Sequence, residues 1–458
     1  MDFVHQTPKE GDTIAAIATP PGSGGVAIIR ISGPNALDLA DRFFSGKVKS
    51  YTTHTAHYGK VLGADGEVID DALLLVMLGE KSYTGEDTVE VHCHGGSLIA
   101  RAVLETFITG GARMAQPGEF TFRAFMSGKL DLAQAEAVQE LIAAQSSYAL
   151  NAAGSQLQGA LSKKIQGFQH DLTDIAAILE AWVDFPEEDL EFAPREELCE
   201  KLSDAEDSIK RLLDTFHDGK VAHDGITMCL VGAPNVGKSS IMNVLLGKDR
   251  AIVTHIPGTT RDVLEDNIKL NDLHFRLLDT AGIRDDAELI EREGIRKTHE
   301  AIQEADLILF VLDVTKGIEA FEAKMLAELP HNRTICVWNK KDMPHEALES
   351  INIAATVEVS ALQNKGFDDL KNAIDKIVWD KGPPSKEEVL VTSTRHKEAL
   401  AHALEAASRV REGLTTDVSP EFLASDMREC LNALGSIIGT NITEDILTTI
   451  FSKFCVGK

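Results

Sequence analysis

Lys238 closes a glycine loop of the form G-x-x-x-x-G-K-S at 232–239, directly behind the apolar run 227–231. Backbone amides of such a turn, at the start of a helix, point at phosphate oxygens. The lysine adds a point charge for the terminal phosphates, and the Ser239 hydroxyl is placed to ligate Mg²⁺. Asn235, Val236, Gly237 and Ser240 line the same loop. Asp279, Thr280, Ala281 and Gly282 follow a second, mostly apolar run at 275–278. A carboxylate at that strand end can hold the water shell of the metal while the Gly282 amide meets a γ-phosphate. Asn339, Lys340 and Asp342 form an N-K-x-D motif behind a third apolar run at 334–338. The Asp342 carboxylate can accept from N1–H and the 2-amino group of guanine, a pair of donors that adenine does not offer. Ser360 and Ala361, behind 357–359, supply a fourth contact. The pattern specifies GTP.

The segment 251–262 lies where a threonine must close over the γ-phosphate and ligate Mg²⁺, and Thr260 has that position. Ile283 follows Gly282, where many small GTPases carry a glutamine that orients the attacking water. An isoleucine cannot do this, so another group must, and Glu288, Glu291 and Glu293 are equal candidates from their positions alone. No arginine here is placed as a finger. The Asn235 side-chain oxygen, with carbonyls from 254–259, can instead hold a monovalent cation where an arginine would neutralise developing charge.

These motifs need a doubly wound sheet to carry them, and strand and helix patterns alternate accordingly over about 219–382. Before it, 13–18, 26–31, 72–77 and 88–93 read as strands and 36–44 and 98–109 as amphipathic helices, a small α+β domain. Long alanine-, leucine- and glutamine-rich helical stretches fill the span from about 122 to 215, and helical periodicity returns from 386 to 454. We therefore expect a multidomain chain divided at 1–121, 122–217, 218–383 and 384–458, the third part inserted into a bundle built from the second and fourth.

At 458 residues the chain exceeds a single typical core. A net charge of −27 opposes broad attraction to nucleic acid or an anionic membrane, so an RNA substrate needs a local basic patch or a partner that holds it. No stretch approaches about 18 uncharged apolar residues, and the first residues lack a signal-peptide pattern, which points to the cytoplasm. The six cysteines form no C-x-x-C pair and have no partner at zinc spacing. Cys229 and Cys336 fall in apolar strands and read as core residues, whereas Cys455 is the fourth residue counted back from Lys458, without a prenylation signal.

The chain resembles the bacterial tRNA modification GTPase family often called MnmE or TrmE. The likeness runs through T-P-P-G-S-G-G at 19–25, G-E-D at 85–87 with H-G-G at 94–96, and P-G-E-F-T-F-R-A-F at 117–125. It continues through K-L-D-L-A-Q-A-E at 129–136, D-F-P-E-E at 184–188, G-T-T-R-D at 258–262 and, most diagnostic, F-C-V-G-K at 454–458. The resemblance implies an N-terminal dimerising domain that binds a 5-formyl or 5,10-methylene tetrahydrofolate, a helical domain and an inserted Ras-like G domain. It implies that the homodimer, with an FAD-dependent partner often called MnmG or GidA in a heterotetramer or larger, installs an aminomethyl or carboxymethylaminomethyl group at C5 of the wobble uridine of certain tRNAs. By the same likeness Asn235, Thr254, Ile256 and Thr259 would ligate potassium, Ser239 and Thr260 would hold Mg²⁺, and Glu291, opening E-R-E-G-I at 291–295, would orient the water. Folate contacts map to Arg30, Glu90, Lys129 and Lys458, with Cys455 nearby as a reactive thiol. Potassium bound this way implies two G domains meeting across their nucleotide faces. Two rival readings are disfavoured: a ribosome-assembly GTPase would carry a basic RNA-binding module, and a membrane-associated transport or signalling GTPase would carry spans or a lipid signal, none of which this sequence shows.

Overall fold

The computed structural model describes residues 11–185, 193–248, 266–278, 299–345, 351–379, 382–385, 387–416 and 418–458. They form two compact units, each assembled from separate stretches: 1–139, 156–206 and 402–458 in the first, 140–155 and 207–401 in the second. Among the described residues no helix is long and apolar enough to cross a membrane.

The first unit holds a six-stranded sheet of β1 (Ile14–Ile17), β2 (Val26–Ser32), β3 (Thr55–Leu62), β4 (Val68–Met77), β5 (Thr88–His94) and β6 (Arg113–Met114), in the order β3-β4-β5-β2-β1-β6. The strands and helices indicated by periodicity are all present. Strands β3 and β6 are additional: β3 alternates intermediate and exposed residues at its start and carries His57, Gly59 and Lys60, a polar edge that leaves little apolar rhythm to read. Alternation sends Ala27, Ile29, Ile31, Val89 and Val91 into a core shared with Leu39, Phe43, Val103 and Phe107 of helices Ala36–Phe43 and Ser97–Gly110. The intervening positions, Arg30, Ser32, Thr88, Glu90 and His92, are thereby assigned to the opposite face.

Helix Glu119–Met126 is largely buried. Its charged members survive burial only because they are paired: Arg123 contacts Glu119 at 3.2 Å and Glu86 at 2.9 Å, and Glu119 also takes Arg113 at 2.6 Å. Further along, helix Pro420–Ile438 buries Leu423, Met427, Cys430, Leu434 and Ile437, an alternating four-and-three spacing that gives one continuous apolar seam. It packs on helix Ala160–Asp184, which buries Leu161, Ile165, Leu172, Ile175 and Leu179, and Arg428 forks onto Glu180 with both contacts at 2.6 Å. After helix Glu444–Phe451 the last residues return to the sheet domain. Val456 pairs with Pro117, the Phe120 amide donates to the Lys458 carbonyl at 3.2 Å, and Gly457 (φ +98°) lies so close to Ile17 that a Cβ would meet its carbonyl oxygen at 2.4 Å.

The second unit holds β7 (Ile226–Val231), β8 (Asp266–Leu270), β9 (Leu273–Leu278), β10 (Leu307–Asp313), β11 (Thr334–Asn339) and β12 (Ala355–Glu358), ordered β12-β11-β10-β7-β9-β8. All neighbours are parallel except β8 and β9, joined at Asn271 and Asp272, whose positive φ values of 47° and 63° suit a tight hairpin. Every residue of β7, β10 and β11 is buried, as a parallel sheet covered on both faces requires. Cys229 and Cys336 are core residues as expected, and burial pushes both thiols up to about 12.

Phe451 is fully buried and its ring meets Phe122 edge-on at 5.2 Å and Phe454 at 5.5 Å. F451A is expected to destabilise the first unit by about 3–5 kcal/mol, read as a lowered urea midpoint in chemical denaturation followed by circular dichroism.

Candidate functional site

Polar groups in a sheet buried on both faces are confined to the strand ends, and the loops after β7, β11 and β12 carry them. The chain leaves β7 through Gly232, whose φ of +148° and whose approach to Val311 (a Cβ would sit 2.3 Å from its carbonyl oxygen) admit glycine alone. Asn235 takes a left-handed φ of 65° and Gly237 one of +100° before helix Lys238–Lys248 begins. Lys238 Nζ donates to the carbonyls of Gly232 at 2.9 Å and Ala233 at 2.8 Å, so the ammonium lies within the turn, and burial holds its pKa below the usual lysine range. Ser239 and Ser240 are exposed in the first helical turn.

The N-K-x-D loop sends each functional side chain to a different partner. Asn339, 3% exposed, donates from Nδ2 to the Val236 carbonyl at 3.0 Å and accepts the Ala361 amide at Oδ1 at 3.1 Å. One amide side chain therefore ties the phosphate loop, the base loop and the Ser360–Ala361 turn together. The Ser360 hydroxyl donates to Asp342 and accepts the Gln363 amide at 3.1 Å, which fixes one oxygen of the Asp342 carboxylate. Lys340, at a left-handed φ of 68°, reaches Asp313 Oδ2 at 2.5 Å. Asp313 escapes the motif-based reading; the signal available is a lone carboxylate ending the otherwise apolar strand β10. Burial opposes its charge, but hydrogen bonds from Lys340 and Thr315 outweigh that and hold its pKa below the usual carboxylate range.

Thr254, Ile256, Thr259, Thr260, Asp279, Thr280, Ala281, Gly282 and Glu291 lie outside the described residues. Of the nucleotide-binding candidates, Asn235, Val236, Gly237, Lys238, Ser239, Ser240, Asn339, Lys340, Asp342, Ser360 and Ala361 fall on these three neighbouring loops.

In the first unit, β2 and β5 place Arg30 directly across from Glu90, and Arg30 Nε meets Glu90 Oε1 at 2.8 Å. Arg30 Nη1 also donates to the Gly457 carbonyl at 3.2 Å, which brings the C-terminal residues to the same face. His92 Nε2 stands 3.3 Å from the other Glu90 oxygen, and Arg30 lies over the Phe120 ring with 5.5 Å to its centroid. His92 and Phe120 are additions to the sequence reading; His92 is two residues from Glu90, on the same strand face, and strand periodicity was its only available signal. Lys129 Nζ donates to the Glu80 carbonyl, and among the described contacts none joins it to Arg30, Glu90 or Lys458. Cys455 is exposed, and its carbonyl accepts the Gly118 amide at 3.4 Å.

A phosphate loop after the first strand of a Ras-like sheet, clamped to an N-K-x-D loop by one asparagine, defines a GTP-binding domain of the GTPase class set in a multidomain α/β and α chain. The chain belongs to the tRNA modification GTPase MnmE family. Residues 13–129 match the family described as GTP-binding protein TrmE N-terminus, and residues 132–455 match that described as MnmE helical domain. The tRNA modification GTPase MnmE of Protochlamydia amoebophila (strain UWE25) is 58% identical over 458 residues, which is 100% of both chains. Those of Clostridioides difficile (strain 630) and Heliobacterium modesticaldum are 40% and 42% identical, each covering 98% of this chain and 99% and 100% of the relatives.

A Cβ at Gly237 would stand 2.1 Å from Asn339 Nδ2, in a left-handed conformation that alanine resists. G237A is expected to weaken GDP binding by about tenfold or more, since it combines backbone strain with loss of the Asn339 clamp. Fluorescence titration with a ribose-labelled GDP checks this.

Proposed function

We propose that the chain is the GTP-hydrolysing component of an enzyme that modifies C5 of the wobble uridine of certain tRNAs to the aminomethyl or carboxymethylaminomethyl form. The observation that carries the GTP half is the Asn339 clamp, which sets Asp342, Ser360 and Ala361 against the phosphate loop. Lys238 neutralises the terminal phosphate oxygens, and Asp342 selects guanine. The donor set fits hard cations: Ser239 is exposed at the first helical turn, and the left-handed Asn235 leaves its side chain at the loop surface. Ser239 with Thr260 would hold Mg²⁺, and Asn235 with Thr254, Ile256 and Thr259 would hold potassium. Such cations supply charge neutralisation at the developing phosphate oxygens. Glu291 is assigned the orientation of water.

For the second site, Glu90 offers a carboxylate of the kind that accepts the adjacent N–H donors of a pterin in a fork. Arg30, Lys129 and Lys458 supply cationic groups for the acidic remainder of a 5-formyl or 5,10-methylene tetrahydrofolate, and the Cys455 thiol is exposed on the tail residue that precedes Val456. The proposal includes the division at 1–121, 122–217, 218–383 and 384–458, a cytoplasmic homodimer, and an FAD-dependent MnmG/GidA-type partner in a heterotetramer or larger, through which tRNA is held. The net charge of −27 supports delivery of tRNA by a partner.

Two measurements test this. GTP hydrolysis is expected to be at least about tenfold faster in potassium chloride than in sodium chloride at matched ionic strength, as expected when a cation does an arginine's work; equal rates would remove Asn235 and 254–259 from the mechanism. E90A is expected to lose measurable heat of binding for 5-formyltetrahydrofolate while retaining GDP affinity, because the two sites use different residues.

A further inference from the structure

Asp313 is absent from every motif that marks the nucleotide site, yet it is held more tightly than most of them. Its side chain is 2% exposed. Oδ1 accepts the Thr315 amide at 3.0 Å and the Thr315 hydroxyl at 2.8 Å, which closes the turn after β10, while Oδ2 faces Lys340 Nζ at 2.5 Å. In the β10–β11 register Asp313 lies opposite Asn339, the clamp residue. The two oxygens thus have separate tasks, one in the turn and one toward the base loop.

An ion pair between a buried carboxylate and a lysine that is 39% exposed is a poor device for stability, because desolvation of the carboxylate offsets the attraction and solvent screens the ammonium. It is a good device for fixing a direction. Lysine has four rotatable side-chain bonds and loses much of its rotamer freedom when ordered. With the backbone of Lys340 set by its left-handed φ and its ammonium set by Asp313, the methylene stem is held at both ends, two residues before Asp342 in the same loop. A fixed, apolar four-carbon strip next to a carboxylate that reads guanine is a surface on which a planar ring can lie without ordering the side chain at the moment of binding.

We propose that Asp313 is a positioning residue for the guanine base, acting through Lys340: it anchors the ammonium so that the lysine stem forms a standing wall of the base pocket. The inference rests on the assignment of this site to GTP. In the D313N variant an asparagine keeps an oxygen for Thr315 but loses the charge that Lys340 seeks, so the turn persists and the wall is released. Replacing Lys340 by methionine in the same chain supplies an apolar stem that needs no counter-ion.

The test uses the full chain and a ribose-labelled GDP. D313N is expected to raise Kd about tenfold, the D313N/K340M double variant to return to within about threefold of the parent, and K340A to weaken binding about tenfold. Rescue by the double variant is the decisive reading, because a role confined to the turn would lower the melting temperature of both Asp313 variants without restoring affinity in either. A folded D313N that binds GDP within twofold of the parent, or a double variant as weak as D313N, overturns the proposal. If the Asp313 variants do not fold, K340A decides, and unchanged affinity there overturns it. A parent chain that does not bind GDP sinks the GTP assignment itself and is thereby distinguishable.

Discussion

Burial of three adjacent parallel strands on both faces is the constraint on which the nucleotide site depends. Strands β7, β10 and β11 have no solvent-facing side, so none of their interior positions can hold a charge, and all polar chemistry must collect where they end. Asp313 and Asn339 are the last residues of β10 and β11, and Gly232 is the first residue beyond β7. Their adjacency follows from the register of the sheet, which places Asp313 opposite Asn339. The site is therefore a product of the sheet's apolar interior as much as of its own polar residues.

Once the strand ends are aligned, one side chain can organise three loops. Asn339 uses both halves of its amide, donor to the phosphate loop and acceptor from the Ala361 amide, and leaves neither half unpaired in a buried position. The neighbouring lysine and aspartate are directed to different partners by the left-handed turn at Lys340. An asparagine-to-aspartate exchange would not serve, because a carboxylate has no donor for the Val236 carbonyl.

The first unit solves a different problem, that of bringing the end of the chain back to a sheet near its beginning. Phe451 and Phe454 pack with Phe122, and backbone bonds from 118 and 120 receive the last residues. Arg30 then joins Glu90, on a neighbouring strand, to the Gly457 carbonyl, 427 positions away in sequence. The surface formed by Arg30, Glu90 and His92 is consequently built from both ends of the chain, and its chemistry depends on the docking of the tail.

The amino-acid sequence by itself determined the nucleotide chemistry. A phosphate loop spans eight residues and N-K-x-D four, so the spacing of donors, charge and turn-forming glycine is local and can be read directly. It also determined the strands and helices of the N-terminal domain, except the polar edge strand β3 and the short β6, because apolar rhythm marks only elements with a buried face. Only the tertiary structure decided which distant groups meet. That Asp313 faces Lys340, that Asn339 reaches Val236 across 103 positions, and that Arg30 meets Glu90 depend on strand order and register. These are properties of pairing between strands, and a one-residue slip in any of them would turn the same side chains to the other face.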